Sequence, residues 1–400
     1  MSGHDVRGDG YPIEVTGTGD SPLGMAPEAF LRDYWQKRPL LVRNAFPGYQ
    51  SPIEPGDLAG LACEDGVLAR IIRHDRATDA WTLETGPFPE EKFPGMPDHD
   101  WTLLVQDVDK WDPDIAELLE HFVFLPRWRL DDIMVSFAAP GGSVGAHIDQ
   151  YDVFLLQAHG HRRWQIDASP NPPTGFRDDV ELKLLRQFTP SHDWVLGPGD
   201  MLYLPPGVPH HGVAEDACLT FSVGMRAPSA AELLGDYVDH VLADEDDSVR
   251  YRDPDLVLPD DPARIDAAAL ARVGQALDRL RTDPAGIGDW FGRFITTYRN
   301  AVEVTAAPDL PPPAEVERRL QGGSVLHRHP YSRMAWLGDA GEARLYANGD
   351  AWAVPEADAR RLANCRELDA DIFQALSPAG RSCLLELVQA GHFLPPHDED

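Results

Sequence analysis

The sequence predicts an α+β protein: a strand-rich barrel of the jelly-roll kind, then a helical region, then a small module resembling a winged helix. Three observations predict it. Between residues 129 and 226, β-branched and aromatic runs such as RLDDIMVSF, HRRWQID and LTFSVGMRA recur with Gly and Pro between them, the pattern of a sandwich or barrel. After Pro228 the apolar period becomes that of helices, and beyond about residue 306 short strands alternate with short helices.

Taken in order, residues 1–20 are polar and glycine-rich, which predicts a flexible N-terminus. The barrel domain is placed at 21–228. Pro27 opens a helical pattern through AFLRDYWQK, and PLLVRNAF reads as a buried strand between prolines. A helix is predicted over 55–64, where Pro55 suits the first turn and Leu58, Leu61 and Ala62 form a stripe. Strands follow at 67–73, 80–86 and 101–107, and DPDIAELLEHF reads as a helix. The barrel strands are then RLDDIMVSF, AHIDQYDVFLLQ, HRRWQID, a short one ending near residue 196, GPGDMLYLPP and LTFSVGMRA.

The helical region is placed at 229–305. Leu233, Leu234, Tyr237 and Val241 lie at helical spacing, as do Ile265, Leu270, Val273, Leu277 and Leu280. Such stripes mean core packing or a helix–helix interface, so the region is a candidate for homodimerisation. PDLPPP at 308–313 reads as a semi-rigid linker. The last domain, 306–400, is predicted to hold a helix ending at Gly322, four strands with an Asn348-Gly349 hairpin turn, and helices near 356–364, 369–376 and 378–391.

Composition narrows the function. The formal net charge of −31, from 66 acidic and 35 basic residues, opposes binding to a phosphate backbone, so no direct nucleic-acid contact is expected, even from the winged-helix-like module. The acidity is either a solubility surface or a field that steers a basic partner. No run of about 18 apolar residues appears, so no membrane span is expected. The four cysteines are scattered, and the N-terminus lacks the apolar stretch of a signal peptide. A cytoplasmic protein without disulfides is expected.

The chemistry concentrates between Ser136 and Trp164. On a strand, residues two apart share a face, so His147 and Asp149 are expected to present a nitrogen and an oxygen ligand together. A histidine from LPPGVPHHG would complete a two-histidine, one-carboxylate triad with open positions for Fe(II) chemistry. Of the pair, His210 is favoured over His211. The bland alternative has His147 at a loop end and His210 in a turn. His159 and His161 are read as a solvent-exposed hairpin tip. Arg162 is taken as the inward member of Arg162-Arg163, suited to the distal carboxylate of 2-oxoglutarate. On RLDDIMVSF, Asp132, Met134 and Ser136 share a face, and Tyr151 has the parity of the two ligands. Asp132 either receives a cationic side chain, with Tyr151 shaping and Met134 lining the pocket, or is simply exposed.

At these residues the chain resembles the JmjC-type cupin oxygenases, and among them the bacterial ribosomal oxygenases that hydroxylate an arginine of a large-subunit ribosomal protein. The matching stretches are FLRDYWQKRPLLVRNAF, LDDIMVSFAAPGGSVGAHIDQYDVFLLQAHGHRRW, GDMLYLPPGVPHHG and FSVGMRAP. The resemblance implies a double-stranded β-helix barrel, a dimerisation region and a winged-helix domain. It implies iron ligands at His147, Asp149 and His210, an arginine at Arg162 that holds 2-oxoglutarate, and O2 as co-reactant; Ser136, on the inward face of its strand, is assigned to the cosubstrate pocket as well. The resemblance places the target arginine against Asp132, Tyr151 and Ser222, in the pocket that Met134 is expected to line. The substrate would be a basic large-subunit ribosomal protein. A histidine hydroxylase or N-methyl-lysine demethylase shares the triad, and a non-catalytic metal-binding cupin scaffold is the rival from another class.

Overall fold

Alternating apolar residues in the first half of the chain build two sheets. The structure, a computed structural model, describes residues 10–17, 21–243, 251–254, 256, 265–278, 284–297, 304, 312–339 and 341–394. It divides into two units, Met1–Ala227 and Pro228–Asp400.

The strands of the first unit are β1 Glu14–Thr16, β2 Leu40–Arg43, β3 Ala69–Asp75, β4 Ala80–Thr85, β5 Trp101–Val105, β6 Leu130–Ala138, β7 Val153–His159, β8 Arg162–Ile166, β9 His192–Leu196, β10 Met201–Leu204, β11 His210–Ala214 and β12 Cys218–Met225. A nine-stranded sheet runs β1-β2-β10-β7-β12-β6-β5-β3-β4, and a three-stranded sheet runs β11-β8-β9. Helices α1 (Pro27–Asp33), α2 (Pro55–Leu61) and α3 (Pro113–Glu117) each begin with proline, whose fixed φ suits a first helical turn. The hydrophobic core joins Phe30 of α1 to Tyr203, with ring centres 4.9 Å apart, and Phe122 to Phe154, also 4.9 Å. Each such buried aromatic is worth roughly 1.5–3 kcal/mol of transfer free energy, so this cluster anchors the N-terminal elements to the large sheet.

Four local expectations change. Residues 10–17 are not a flexible tail: β1 pairs in parallel with β2, and Ile13 joins the core, because Ile13 and Val15 bring apolar surface into the polar leader. The run AHIDQYDVFLLQ is strand only from Val153; residues before it form a turn-rich loop tied to the barrel by isolated bridges, as Gly145 adopts a left-handed φ of 80°. DPDIAELLEHF splits into α3 and a 3-10 turn at Leu118–Phe122. The strand β11 was missed because the local sequence PHHGVA has no strong alternation; its partner β8 supplies the reason to extend.

The second unit contains α4 (Ala230–Ala243), α5 (Ala267–Asp278), α6 (Pro284–Thr296) and α7 (Pro313–Gln321). Next come β13 (Leu326–Arg328), β14 (Met334–Asp339), β15 (Glu342–Ala347), β16 (Asp350–Pro355), α8 (Glu356–Asn364), β17 (Glu367–Leu368), α9 (Ala370–Ala375), α10 (Pro378–Gln389) and β18 (Phe393–Leu394). The sheets are β14-β15-β16 and β17-β13-β18. Asn348 and Gly349 both have positive φ, 44° and 96°, as the tight hairpin between β15 and β16 requires. Helix α6, grouped by the sequence with the helical region, packs on this hairpin: Arg293 Nη1 donates to the Gly349 carbonyl at 2.9 Å and Tyr346 Oη to Asp289 at 3.1 Å. Most of the 308–313 run and Leu280 lie outside the described residues. No helix among the described residues is long and apolar enough to cross a membrane.

Candidate metal centre and its cavity

The regular strands aim their side chains by parity. On β8, Arg162, Trp164 and Ile166 turn inward and Arg163 faces solvent, where it pairs with Asp193 at 2.7 Å. On β11, His210, Gly212 and Ala214 turn inward. On β6, Asp132, Met134 and Ser136 line the same cavity from the large sheet, with Ser222 of β12 paired opposite Met134. The cavity measures about 180 Å³. The structure brings His147, Asp149, His210, Arg162, Ser136, Asp132, Met134, Tyr151 and Ser222 together on its walls.

His147, Asp149 and His210 converge although no strand carries the first two. The ligand atoms of the three side chains all lie within 4.8 Å of one another. His147 and His210 face each other across an antiparallel bridge, each backbone N–H donating to the other's carbonyl at 3.0 Å. Each imidazole holds a backbone carbonyl at Nδ1, Gly145 for His147 and Val208 for His210, both at 2.9 Å. An Nδ1–H donated there leaves Nε2 of both rings as the free acceptor, and His210 Nε2 stands 3.6 Å from Asp149 Oδ2. Burial holds His210 well below the usual histidine range, so the ring is neutral; burial pushes the Asp149 carboxyl up, against the opposing pull of His147 and a hydrogen bond from Tyr151. Two imidazoles, that of His210 kept neutral by burial, and one carboxyl group have the donor set of an Fe(II) facial triad.

Arg162 is the second unusual group. It is 2% exposed, and its Nε and Nη1 have no hydrogen-bond partner among the described residues. Nη2 donates to the Gly212 carbonyl at 3.3 Å, and the guanidinium lies beside the Cys218 thiol and 5.0 Å from the centre of the Trp164 ring. Burial lowers its pKa. A buried guanidinium with idle donors is costly unless a ligand anion meets it, and a carboxylate fits. Ser136 Oγ donates to the Thr220 carbonyl at 3.3 Å nearby.

The opposite wall is acidic. Burial, reinforced by Asp107, Asp109 and Asp131, pushes the Asp132 carboxyl up to about 7, and the Asp107 backbone N–H donates to it at 3.1 Å. Tyr151 stands at the cavity mouth and is 41% exposed, further out than an inward strand position would be. His211 points away, with Nε2 3.1 Å from Ser143 Oγ. His161 pairs with Asp216 at 2.8 Å, and neither it nor His159 lines the cavity.

Gln106, Trp164 and Thr220, which no local motif marks, also line the cavity. Asp152, which was not among the expected residues, closes the metal loop. Fully buried, Asp152 accepts from Tyr203 Oη at 2.7 Å, Gln36 Nε2 at 2.8 Å and Arg129 Nη2 at 3.3 Å. A charged residue opening the apolar run DVFLLQ was the available signal.

A jelly-roll whose two sheets enclose a His-Asp-His cluster and a buried, unpaired arginine defines a class, the facial-triad metal proteins that take a small anionic ligand. Comparison with known proteins narrows it. Residues 117–233 match the JmjC domain and residues 279–393 the ROXA-like winged helix. The chain is 36% identical over 376 residues to the ribosomal protein uL16 3-hydroxylase of Escherichia coli, covering 91% of this chain and 96% of that one. It is 35% identical to a probable ribosomal oxygenase of Haemophilus influenzae over 82% of each. The solved structure of the E. coli ribosomal oxygenase YcfD in complex with cobalt and 2-oxoglutarate superposes with a TM-score of 0.82 at 34% identity, covering 94% of this chain and 99% of that one. The chain belongs to the JmjC-domain ribosomal oxygenases.

Proposed function

We propose that this protein is an Fe(II)- and 2-oxoglutarate-dependent dioxygenase that hydroxylates an arginine side chain of a large-subunit ribosomal protein, uL16 being the substrate named for the E. coli relative. The observation that carries the reading is one cavity holding the His147, Asp149 and His210 cluster, the buried Arg162 with two idle donors and, opposite, the acidic Asp132. Fe(II) held by the three ligands, with 2-oxoglutarate and O2, supplies the oxidising chemistry. The chain's own residues bind and orient. Arg162 would hold the distal carboxylate of 2-oxoglutarate by charge-assisted hydrogen bonds from its idle donors, and Ser136 borders it. Asp132, ionised by an incoming guanidinium, holds the target side chain, while Met134 and Ser222 line its path and Tyr151 guards the mouth. The buried walls exclude water around the reacting groups.

The net charge of −31 suits a basic ribosomal protein and opposes direct nucleic-acid contact, and we read the protein as cytoplasmic. We also read the chain as a homodimer, because Leu234, Val238 and Leu242 leave one apolar face of α4 exposed while Tyr237 packs on Trp290 of α6. Intact-mass analysis of uL16 after incubation with the protein, Fe(II) and 2-oxoglutarate tests the function: one added oxygen, mapped by fragmentation to an arginine, is expected. An oxygen on histidine, loss of a methyl group from lysine, or no mass change with any ribosomal protein sinks it.

A further inference from the structure

We infer that Gly212 is a positioning residue for the cosubstrate, the position whose missing side chain lets Arg162 reach toward the metal ligands. The inference rests on the 2-oxoglutarate reading above. Strands β8 and β11 are antiparallel, with Arg162 opposite Ala214, Trp164 opposite Gly212 and Ile166 opposite His210. Along β11 the inward positions therefore run Ala214, Gly212, His210, from the level of Arg162 to the level of the metal. Arg162 leans along this row. Its Nη2 hydrogen-bonds the Gly212 carbonyl, one step nearer His210 than its own cross-strand partner.

The lean is possible because the middle of the row is empty. A β-carbon built at Gly212 would lie 2.7 Å from Arg162 Nε and 2.7 Å from both Cη2 and Cζ3 of Trp164. Real contacts to a β-carbon do not come so close, so either the guanidinium stem or the indole must move. The backbone does not explain the glycine, since Gly212 is not among the residues with positive φ. What it provides is space, and both neighbours that occupy the space touch the site. Trp164 packs between Arg162, 5.0 Å away, and the His210 ring, 5.9 Å between centres. A methyl group at 212 thus pushes on the cosubstrate arginine directly and on the tryptophan that spaces it from the metal ligand.

The test uses the full-length protein loaded with Mn(II), measuring Mn(II) and 2-oxoglutarate binding by calorimetry, thermal stability, and KM for 2-oxoglutarate. Gly212→Ala is expected to weaken 2-oxoglutarate binding on the order of tenfold to hundredfold, the scale of losing one hydrogen bond to a charged group. It should raise KM for the cosubstrate while Mn(II) affinity stays within about twofold, since the triad's own partners are untouched. In the Gly212→Ala background, Trp164→Phe removes the crowded ring atoms and should recover part of the loss. Wild-type affinity for 2-oxoglutarate in Gly212→Ala overturns the inference. So does a parallel loss of Mn(II), 2-oxoglutarate and thermal stability that Trp164→Phe does not relieve, which marks a merely structural glycine. If wild-type protein binds Mn(II) but not 2-oxoglutarate, the cosubstrate reading fails and takes the inference with it; if wild type binds and only the Gly212 contrast is missing, the reading stands and the inference alone fails.

Discussion

The two walls of the cavity hold buried charge of opposite sign, and they hold it differently. On the small sheet, Arg162 keeps its charge with two donors idle. On the large sheet, Asp132 sits among Asp107, Asp109 and Asp131, and its carboxyl is pushed up to about 7, so it can shed its charge by taking a proton. No ion pair joins the two walls among the described residues. Each wall therefore suits a ligand of the charge opposite to its own. A guanidinium that cannot neutralise itself needs a permanently anionic ligand, and a carboxyl that titrates near neutrality becomes fully ionised only when a cation arrives.

The largest effect belongs to the groups between the walls. Asp149→Ala or His210→Ala removes a ligand itself, and metal affinity measured by calorimetry should fall beyond the roughly 10–100-fold typical of losing an outer partner. 2-Oxoglutarate turnover should disappear with it. Unchanged iron-dependent turnover would overturn the assignment of these residues as metal ligands. Next, Arg162→Gln should weaken cosubstrate binding by about 1.5–3 kcal/mol, the value of a hydrogen bond to a charged group, with metal binding kept. An equal loss of substrate-protein binding would show that the walls are not separate.

Asp132→Asn sharpens the acidic wall. In wild type, kcat/KM for the substrate protein should fall as pH drops through about 7, where Asp132 takes up its proton, and the variant should lose this limb along with most activity. Stability runs the other way. A carboxyl raised in the folded state binds its proton more tightly than in the unfolded chain, so wild type loses stability as pH rises from about 4, near the unfolded value, to about 7. Asp132→Asn should therefore melt higher than wild type at pH 8 and show little difference near pH 4. The smallest effects lie outside the cavity. Leu234→Glu with Leu242→Glu should shift sedimentation toward monomer without touching 2-oxoglutarate turnover by monomers. Asn348→Ala, at a φ of 44°, should cost about 1 kcal/mol of stability in the second unit alone.

Much of this site was legible because period-2 alternation survives in single strands. The inward faces of β6 and β8 could be read from RLDDIMVSF and HRRWQID without knowing their partners. His147 and Asp149 were paired for a reason that does not hold, strand parity. The loop places them together through its bridge to His210 and the left-handed Gly145, which local sequence does not reveal. The same limit hid β11, Gly212 and Asp152. Each acquires its meaning from residues distant in the chain: Trp164 and Arg162 beside the glycine, Gln36 and Tyr203 around the aspartate. Ile13 and Val15 show the reverse error, where a polar average masked two residues that seat an edge strand.

The reciprocal hydrogen bonds between His147 and His210 have a consequence for assembly. They join the loop before β7 to the start of β11, so the two imidazoles stand together only when this seam between residues more than sixty positions apart is closed. A nascent or half-folded chain has the histidines but not the seam. The ligand set is therefore a product of tertiary pairing across the barrel and not of any local segment.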